Sequence, residues 1–373
     1  MHTCQPIRTN LLILACLFLF LPVLSGQWLE FEDASATWLA IGLDSEEKDL
    51  VAADFNKDGL TDVVVVRKAP FSNQGPREDL LLINTGSALE DQTAIYAPEF
   101  LTRLTDARDV VAADFDGDTW VDLVIANTFE DQPVYYANLG QSGGTWLGFA
   151  DQSTVRFPQP LNVSPLQFCA LWAGDVTGDL SPDIYFSNYD PDGNSQDVLL
   201  VNNGSGVFAD ETDARLGDLR NSAFGTSAEI HDFDLDGDND IIKISTLFAV
   251  PPFNQIGVFV LYNNGDGTFT NWQNLAAGEQ PYMFTVAPID GNNFQDIYIV
   301  DDQQDFYHLV DGSTPDQSVS YSTLNSTDPR TAAFGGNCKF ADLDGDGDLD
   351  FGIADVDVDI PPCNSGASMR KFS

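Results

Sequence analysis

The chain has 373 residues, with 58 Asp and Glu against 16 Lys and Arg, and a formal net charge of -42. Such a charge excludes nucleic acids and anionic membrane surfaces as partners, because both would be repelled, and it suits a cation. The length exceeds one ordinary domain and is enough for two domains or for a repeat array.

Residues 1–10 are polar and carry one Arg, and Leu11 to Leu24 form a nearly unbroken apolar run. Val23-Leu24-Ser25 then meets the small-residue rule for signal-peptidase cleavage. Residues 1–26 therefore read as a signal peptide, with the mature chain beginning at Gly26 or Gln27. The apolar run is short against the ~20 residues a membrane helix needs. The expected destination is secreted, extracellular, periplasmic or at the cell surface, with no membrane insertion after cleavage. Cys4 and Cys16 leave with the signal, and Cys169, Cys338 and Cys363 remain. An oxidising compartment permits a Cys338–Cys363 bridge, the nearest pair in sequence.

Self-comparison of residues 27–373 then organises the rest. The segment Val51-Ala-Ala-Asp-Phe-Asn-Lys-Asp-Gly59 returns near Asp114, Asp175, Asp232 and Asp342, and in damaged form near Asp290. Each copy has an apolar run into its first Asp, a tight polar loop, and a β-rich run such as Asp62-Val-Val-Val-Val66 or Asp240-Ile-Ile-Lys-Ile244. A third strand and a turn follow, as in Leu199-Leu-Val-Asn-Asn-Gly204, then a fourth strand such as Val207-Phe-Ala-Asp210. The expected fold is all-β, a β-propeller of six four-stranded blades, with seven as the alternative. Trp28-Leu-Glu-Phe-Glu-Asp-Ala-Ser35 matches Trp146-Leu-Gly-Phe-Ala-Asp-Gln-Ser153 at five positions. The N-terminal segment is therefore expected to complete the last blade and close the ring, removing two exposed sheet edges.

The best loops read D-x-[DN]-x-D-G-x-x-D. They are Asp54, Asn56, Asp58 and Asp62; Asp232, Asp234, Asp236 and Asp240; and Asp342, Asp344, Asp346 and Asp350. Oxygen side chains at alternate positions of a tight turn converge on one centre, and the ninth Asp would close the shell. The seventh residue, Leu60, Asp238 or Asp348, would add a backbone carbonyl. Hard oxygen donors in a flexible cage suit Ca²⁺ over a transition metal. The six nine-residue loops hold 22 of the 58 acids, so the acidity is concentrated where a cation would relieve it. Asp114, Asp116, Asp118 and Asp122, with the carbonyl of Trp120, keep every acid, but Thr119 replaces the glycine. Asp175, Thr177, Asp179 and Asp183, with the carbonyl of Ser181, lose one carboxylate and have Leu180 at the glycine position. Both are expected to bind, the second more weakly. The fifth copy has Pro288 in place of the first Asp and is expected to be a turn only. About four or five ions are expected. An EF-hand is excluded, since none of the copies has Glu at position twelve and the flanks read as strands.

These residues resemble the FG-GAP or VCBS repeat family, the calcium-binding propeller blades also found in integrin α-subunit heads. Phe224-Gly225 and Phe334-Gly335 begin eight residues before Asp232 and Asp342, where that family has its Phe-Gly. The resemblance implies calcium loops joining the first two strands of a blade, and extracellular recognition or adhesion more often than catalysis. The function expected is a non-catalytic module that binds an extracellular protein or glycan. Aromatics in 70–77, 129–136 and 248–253 are candidates for its surface. The alternative is a secreted polysaccharide lyase or hydrolase. His231 and His308 both read as strand residues, and no GxSxG or HExxH occurs.

Overall fold

The computed structural model describes residues 35–39, 46–69, 73–161, 163–189, 195–276, 280–301, 305–310, 320–323, 335–343, 347, 349–355 and 370–372. The expected signal peptide, and Cys363, lie outside these residues. No helix among them is long and apolar enough to cross a membrane.

The fold is an all-β propeller. The first blade pairs Glu47–Ala53, Asp62–Arg67, Leu80–Asn84 and Leu89–Asp91 in that order, all antiparallel. The second uses Ala107–Ala113, Asp122–Asn127, Val134–Asn138 and Phe149–Asp151. The third uses Phe168–Gly174, Asp183–Asn188, Val198–Asn202 and Phe208–Asp210. The fourth uses Ala228–His231, Asp240–Ser245, Gly257–Asn263 and Phe269–Asn274. The fifth uses Pro281–Ala287, Asp296–Asp301, Phe306–Leu309 and Ser320–Thr323.

The expectation of six four-stranded blades is corrected to five. The sixth repeat forms a three-stranded sheet, Gly335–Ala341, Asp350–Asp355 and Arg370–Phe372, and no described residue pairs on the far edge of its third strand. The segment expected to fill that edge, residues 28–34, lies outside the described residues.

The apolar cores sit between blades, because each sheet is apolar on both faces. Val64, Val66 and Leu81 of the first blade meet Val110, Leu123 and Tyr136 of the second. Tyr135 and Phe115 meet Phe186 and Phe208 across the next seam. Similar clusters fill the seams to the fourth blade, the fifth blade and the sixth sheet. The Phe-Gly step has a steric cause: a Cβ on Gly225 would lie 2.2 Å from Ser187 Oγ and 2.9 Å from the Asn188 carbonyl.

Polar fasteners repeat with the blades. After each of the first three fourth strands, Asp91, Asp151 or Asp210 accepts the N–H and O–H of Thr93, Ser153 or Thr212. Those hydroxyls accept N–H groups from Leu81, Tyr135 and Leu199 in the third strands. A one-turn helix then begins, at Thr93–Tyr96, Ser153–Arg156 and Thr212–Arg215. A like turn occupies Ser35–Trp38, directly after Asp33-Ala34.

Asp79 is buried and accepts the Arg67 N–H at 2.9 Å. Burial pushes its carboxyl up to about 8, against the pull of that N–H and the Arg67 charge. A carboxyl raised in the fold contributes stability that is complete below its unfolded value near 4 and is lost as pH rises through about 8. Melting curves should therefore show stability falling from about pH 4 to about pH 8 by up to about 1.4 kcal/mol per pH unit from this group. Asp79→Asn should flatten that limb, and an unchanged slope would mean that other groups set it.

Candidate metal centres in the blade loops and an axial charge cluster

Each Asp loop joins the first two strands of a blade and is held by its own side chains. The first Asp accepts the N–H of the sixth residue through Oδ2: Gly59 on Asp54, Thr119 on Asp114, Leu180 on Asp175, Gly237 on Asp232 and Gly347 on Asp342, at 2.7–3.1 Å. The fifth residue, Asp58, Asp118, Asp179 or Asp236, accepts the N–H of Leu60, Trp120, Ser181 or Asp238. The sixth position is left-handed throughout, with φ of +88° at Gly59, +76° at Thr119, +70° at Leu180, +102° at Gly237 and +96° at Gly347. The turn thus persists without glycine, and the side chain there carries the strain. Leu180 is also 92% exposed, so it has almost no packing to lose. Leu180→Gly should be stabilising by up to about 1 kcal/mol in chemical denaturation; a loss of stability would show that Leu180 makes a contact its exposure does not suggest.

The ninth Asp has a second task. Asp62, Asp122, Asp183, Asp240 and Asp296 are buried, and Oδ1 of each accepts an N–H at the end of the third strand, from Asn84, Asn138, Asn202, Asn263 and Val310 at 2.7–2.8 Å. In all but Asp122, Oδ2 takes the N–H of the second loop residue; in Asp122 it takes the Tyr135 hydroxyl. Burial pushes these carboxyls up, to about 6 in Asp62 and Asp183 and about 7 in Asp122 and Asp240. Asp296 keeps this fastening in the fifth copy, where Pro288 stands at the first position and Asp290 and Asn292 complete the turn.

Among the described residues, two loops bring three carboxylates together. One oxygen each of Asp114, Asp116 and Asp118, and of Asp232, Asp234 and Asp236, lie mutually within 4.8 Å. Three oxygens at that limit share a centre roughly 2.8 Å from each, so an inward shift of a few tenths of an ångström would bring all three to a Ca²⁺–oxygen distance of ~2.4 Å. The fourth loop fits a cation best, because Asp232 Oδ1 is shielded from solvent with no hydrogen-bond partner. In the second loop Asp116 is paired to Arg156 at 2.8 Å, a built-in competitor. In the third, Asp175 Oδ1 already faces the N–H groups of Thr177, Gly178 and Asp179. The first loop has the same scaffold with Asn56 in the middle, which accepts the Asp58 N–H at 2.8 Å. In the sixth, Asp342 and Asp350 make the same backbone bonds as their counterparts, whereas Asp344, Asp346 and Asp348 lie outside the described residues.

Sequence reasoning missed two things. The first is a set of clips between blades. Asn138, Asn202 and Asn263 each donate a side-chain N–H to the loop carbonyl of the preceding blade, at Phe55, Phe115 and Val176 (2.8–2.9 Å). The recurring third-strand Asn carried that signal. The second is an axial cluster. Glu229 is buried and accepts His231 Nε2 and Lys339 Nζ, both at 2.8 Å, and the Val286 N–H at 3.1 Å. Burial would raise the Glu229 carboxyl, but those two partners hold it below its ordinary value. Lys339 lies 4.5 Å from the Trp172 ring centre. It crosses from the sixth sheet to the third and fourth blades, so these groups meet near the propeller axis. Trp172, Glu229 and Lys339 all stand three residues before a first Asp, where the first two copies have Val51 and Val111.

Of the surface aromatics expected, Tyr135, Tyr136 and Phe253 are core, while Phe248 is 48% exposed. Cys169 is a buried free thiol, as is Cys338. Cys338 packs in the seam beside Tyr298 and Phe351, and the Cys363 expected to bridge to it lies outside the described residues.

Residues 54–125 match the family model of the FG-GAP-like repeat. This segment is an FG-GAP-like repeat. It spans the first two Asp loops and the strands that follow them. No curated protein matches the chain. Among solved structures, it is similar to an Agrocybe aegerita lectin described as recognising non-reducing terminal N-acetylglucosamine, at 18% identity and a TM-score of 0.45 over 74% of this chain and 66% of that one. It thus spans just under two thirds of that lectin. It is also similar to BBS1N, solved in complex with ARL6DN, at 12% identity, a TM-score of 0.49 and coverage of 85% and 79%. YCF48 from Cyanidioschyzon merolae gives 11% identity, a TM-score of 0.46 and coverage of 83% and 80%.

Proposed function

We propose that the chain is a secreted, calcium-loaded propeller whose rigid face recognises an extracellular protein or glycan without catalysis. The observation that carries the calcium reading is the fourth loop, where three carboxylates converge and Asp232 Oδ1 lacks any other partner. An ion there would join the first and second strands of the blade and remove the mutual repulsion of its acids. Ring closure by residues 28–34 belongs to the same proposal, supported by the helical turn at Ser35–Trp38 that elsewhere follows a fourth strand. Calorimetric titration of the mature chain with Ca²⁺ tests it. About four or five ions are expected, with Asp232→Ala losing one; an unchanged stoichiometry in that variant would remove the fourth loop from the set.

The carbohydrate-active enzyme gains one observation in its favour. The axial Glu229, His231 and Lys339 are acids and bases outside the loops, as such an enzyme requires. Polysaccharide cleavage by the native chain that disappears in Glu229→Gln would favour it over a recognition module.

A further inference from the structure

The fourth blade departs from the first three at its outer strand. There the chain reads Asn271-Trp272-Gln273, where the others have Asp91-Gln92-Thr93, Asp151-Gln152-Ser153 and Asp210-Glu211-Thr212. With neither the Asp nor the hydroxyl, the fastener is lost, and the strand runs on from Phe269 to Asn274 in place of a one-turn helix. Trp272 stands at the middle position. Its ring meets those of Phe253 and Phe259 edge to face, with centres 5.1 and 5.7 Å apart, and stays half-buried. Among the described residues its indole N–H has no hydrogen-bond partner.

A cleft of about 410 Å³ opens beside this ring, between the third and fourth blades. Trp272, Thr270 and Pro252 of the fourth blade stand on one side, and Asp213, Gly217 and Asp218 of the third on the other. That volume lies in the ~300–1,000 Å³ range of small-ligand sites. The charges in the walls narrow the ligand. Arg215, also in the third-blade wall, is engaged by Glu211 at 2.7 Å and by the Asp266 carbonyl at 2.9 Å, and Asp213 is paired to Arg220. The Asp218 carboxylate is exposed and has no hydrogen bond or ion pair among the described residues. What remains for a ligand is an indole ring, one N–H donor and one carboxylate acceptor. An anion is repelled by Asp218 and by the net charge of -42, and a cation by Arg215. A neutral ring with an apolar face and several hydroxyls suits all three groups. Its C–H face packs on the indole, one hydroxyl oxygen accepts the Trp272 N–H, and another hydroxyl donates to Asp218.

We infer that the cleft between the third and fourth blades, through Trp272 and Asp218, binds one neutral sugar unit of a glycan. This deepens the recognition reading and rests on it. The test titrates the calcium-loaded chain with the methyl glycosides of glucose, galactose, mannose and N-acetylglucosamine, and with choline and acetate as charged probes. At least one glycoside should bind at least tenfold more tightly than either charged probe. Trp272→Ala and Asp218→Ala should each weaken that glycoside at least tenfold, and Trp272→Phe, which keeps a ring but loses the N–H, should fall between. Melting temperature and calcium stoichiometry control for folding, and Asp218 is exposed, so its variant decides the matter should Trp272→Ala unfold. Glycoside binding that survives Asp218→Ala and Trp272→Phe unchanged would overturn the cleft and leave the recognition reading with its ligand elsewhere. Tighter binding of choline or acetate, or binding of none of the glycosides by a chain that takes calcium normally, would also overturn the cleft. Failure of calcium binding itself would strike the recognition reading instead.

Discussion

Removal of calcium should lower the melting temperature of the chain by roughly 10 °C. A site filled at a hundredfold excess over its dissociation constant stabilises the fold by about 2.7 kcal/mol, so two such sites give about 5 kcal/mol and a shift of that order. The physical source is the crowding of carboxylates. Asp232, Asp234 and Asp236 converge within 4.8 Å, and Asp240 is buried beneath them with its carboxyl pushed up to about 7. Without a cation, ionising this set costs energy that only protons or loop opening can relieve. Scanning calorimetry in calcium and in EGTA at matched ionic strength gives the comparison. The fourth blade should lose protection from hydrogen exchange early in EGTA. Identical melting in both buffers would mean that the loops are acidic turns and that the charge of the chain serves solubility.

The second large effect should come from a buried ion pair far from the loops. Lys243 and Asp197 are both fully buried and in direct contact. Lys243 also donates to the carbonyls of Asn221 (2.9 Å) and Leu219 (3.3 Å), and lies 5.2 Å from the Phe253 ring centre. Asp197 accepts the Tyr185 hydroxyl at 2.5 Å and the Asn188 N–H at 2.8 Å. Removing one ion leaves the other uncompensated in a dry seam, so Lys243→Met should cost about 3–5 kcal/mol in chemical denaturation. Adding Asp197→Asn should restore a large part of that loss, because Asn still accepts the Asn188 N–H and no charge remains. If the double variant is as unstable as the sum of the two singles, the pair is not energetically coupled and the cost lies in packing alone.

The repeat period and the alternation of apolar residues made the blades legible, because every strand ends at a polar turn with its own signature. The Asp loops were equally legible, since coordination spacing is local in sequence. What could not be read there depends on neighbours far along the chain. Arg156 is an ordinary basic residue in sequence, yet it neutralises Asp116 from forty positions away. Lys243 reads as an interruption of the strand Asp240–Ser245, and its partner Asp197 belongs to the previous blade. Glycine at the sixth loop position looked like a requirement. Thr119 and Leu180 show that the first Asp, by capturing the sixth N–H, holds the turn without it. The sixth blade was overcounted because the repeat signal marks the first two strands of a sheet and is silent about its outer edge.

The asparagine clips set a direction for mechanical failure. Asn138, Asn202 and Asn263 each fasten a third strand to the loop of the blade before it, so force on one blade is shared backwards along the chain. Val310 occupies the equivalent place in the fifth blade and has no amide to give. Among the described residues, the seam between the fourth and fifth blades therefore lacks this clip and is bridged instead by the Val286 N–H on Glu229. Pulling the chain by its C-terminal end should peel away the fifth blade and the sixth sheet first, and leave the first four blades as a single resistant block.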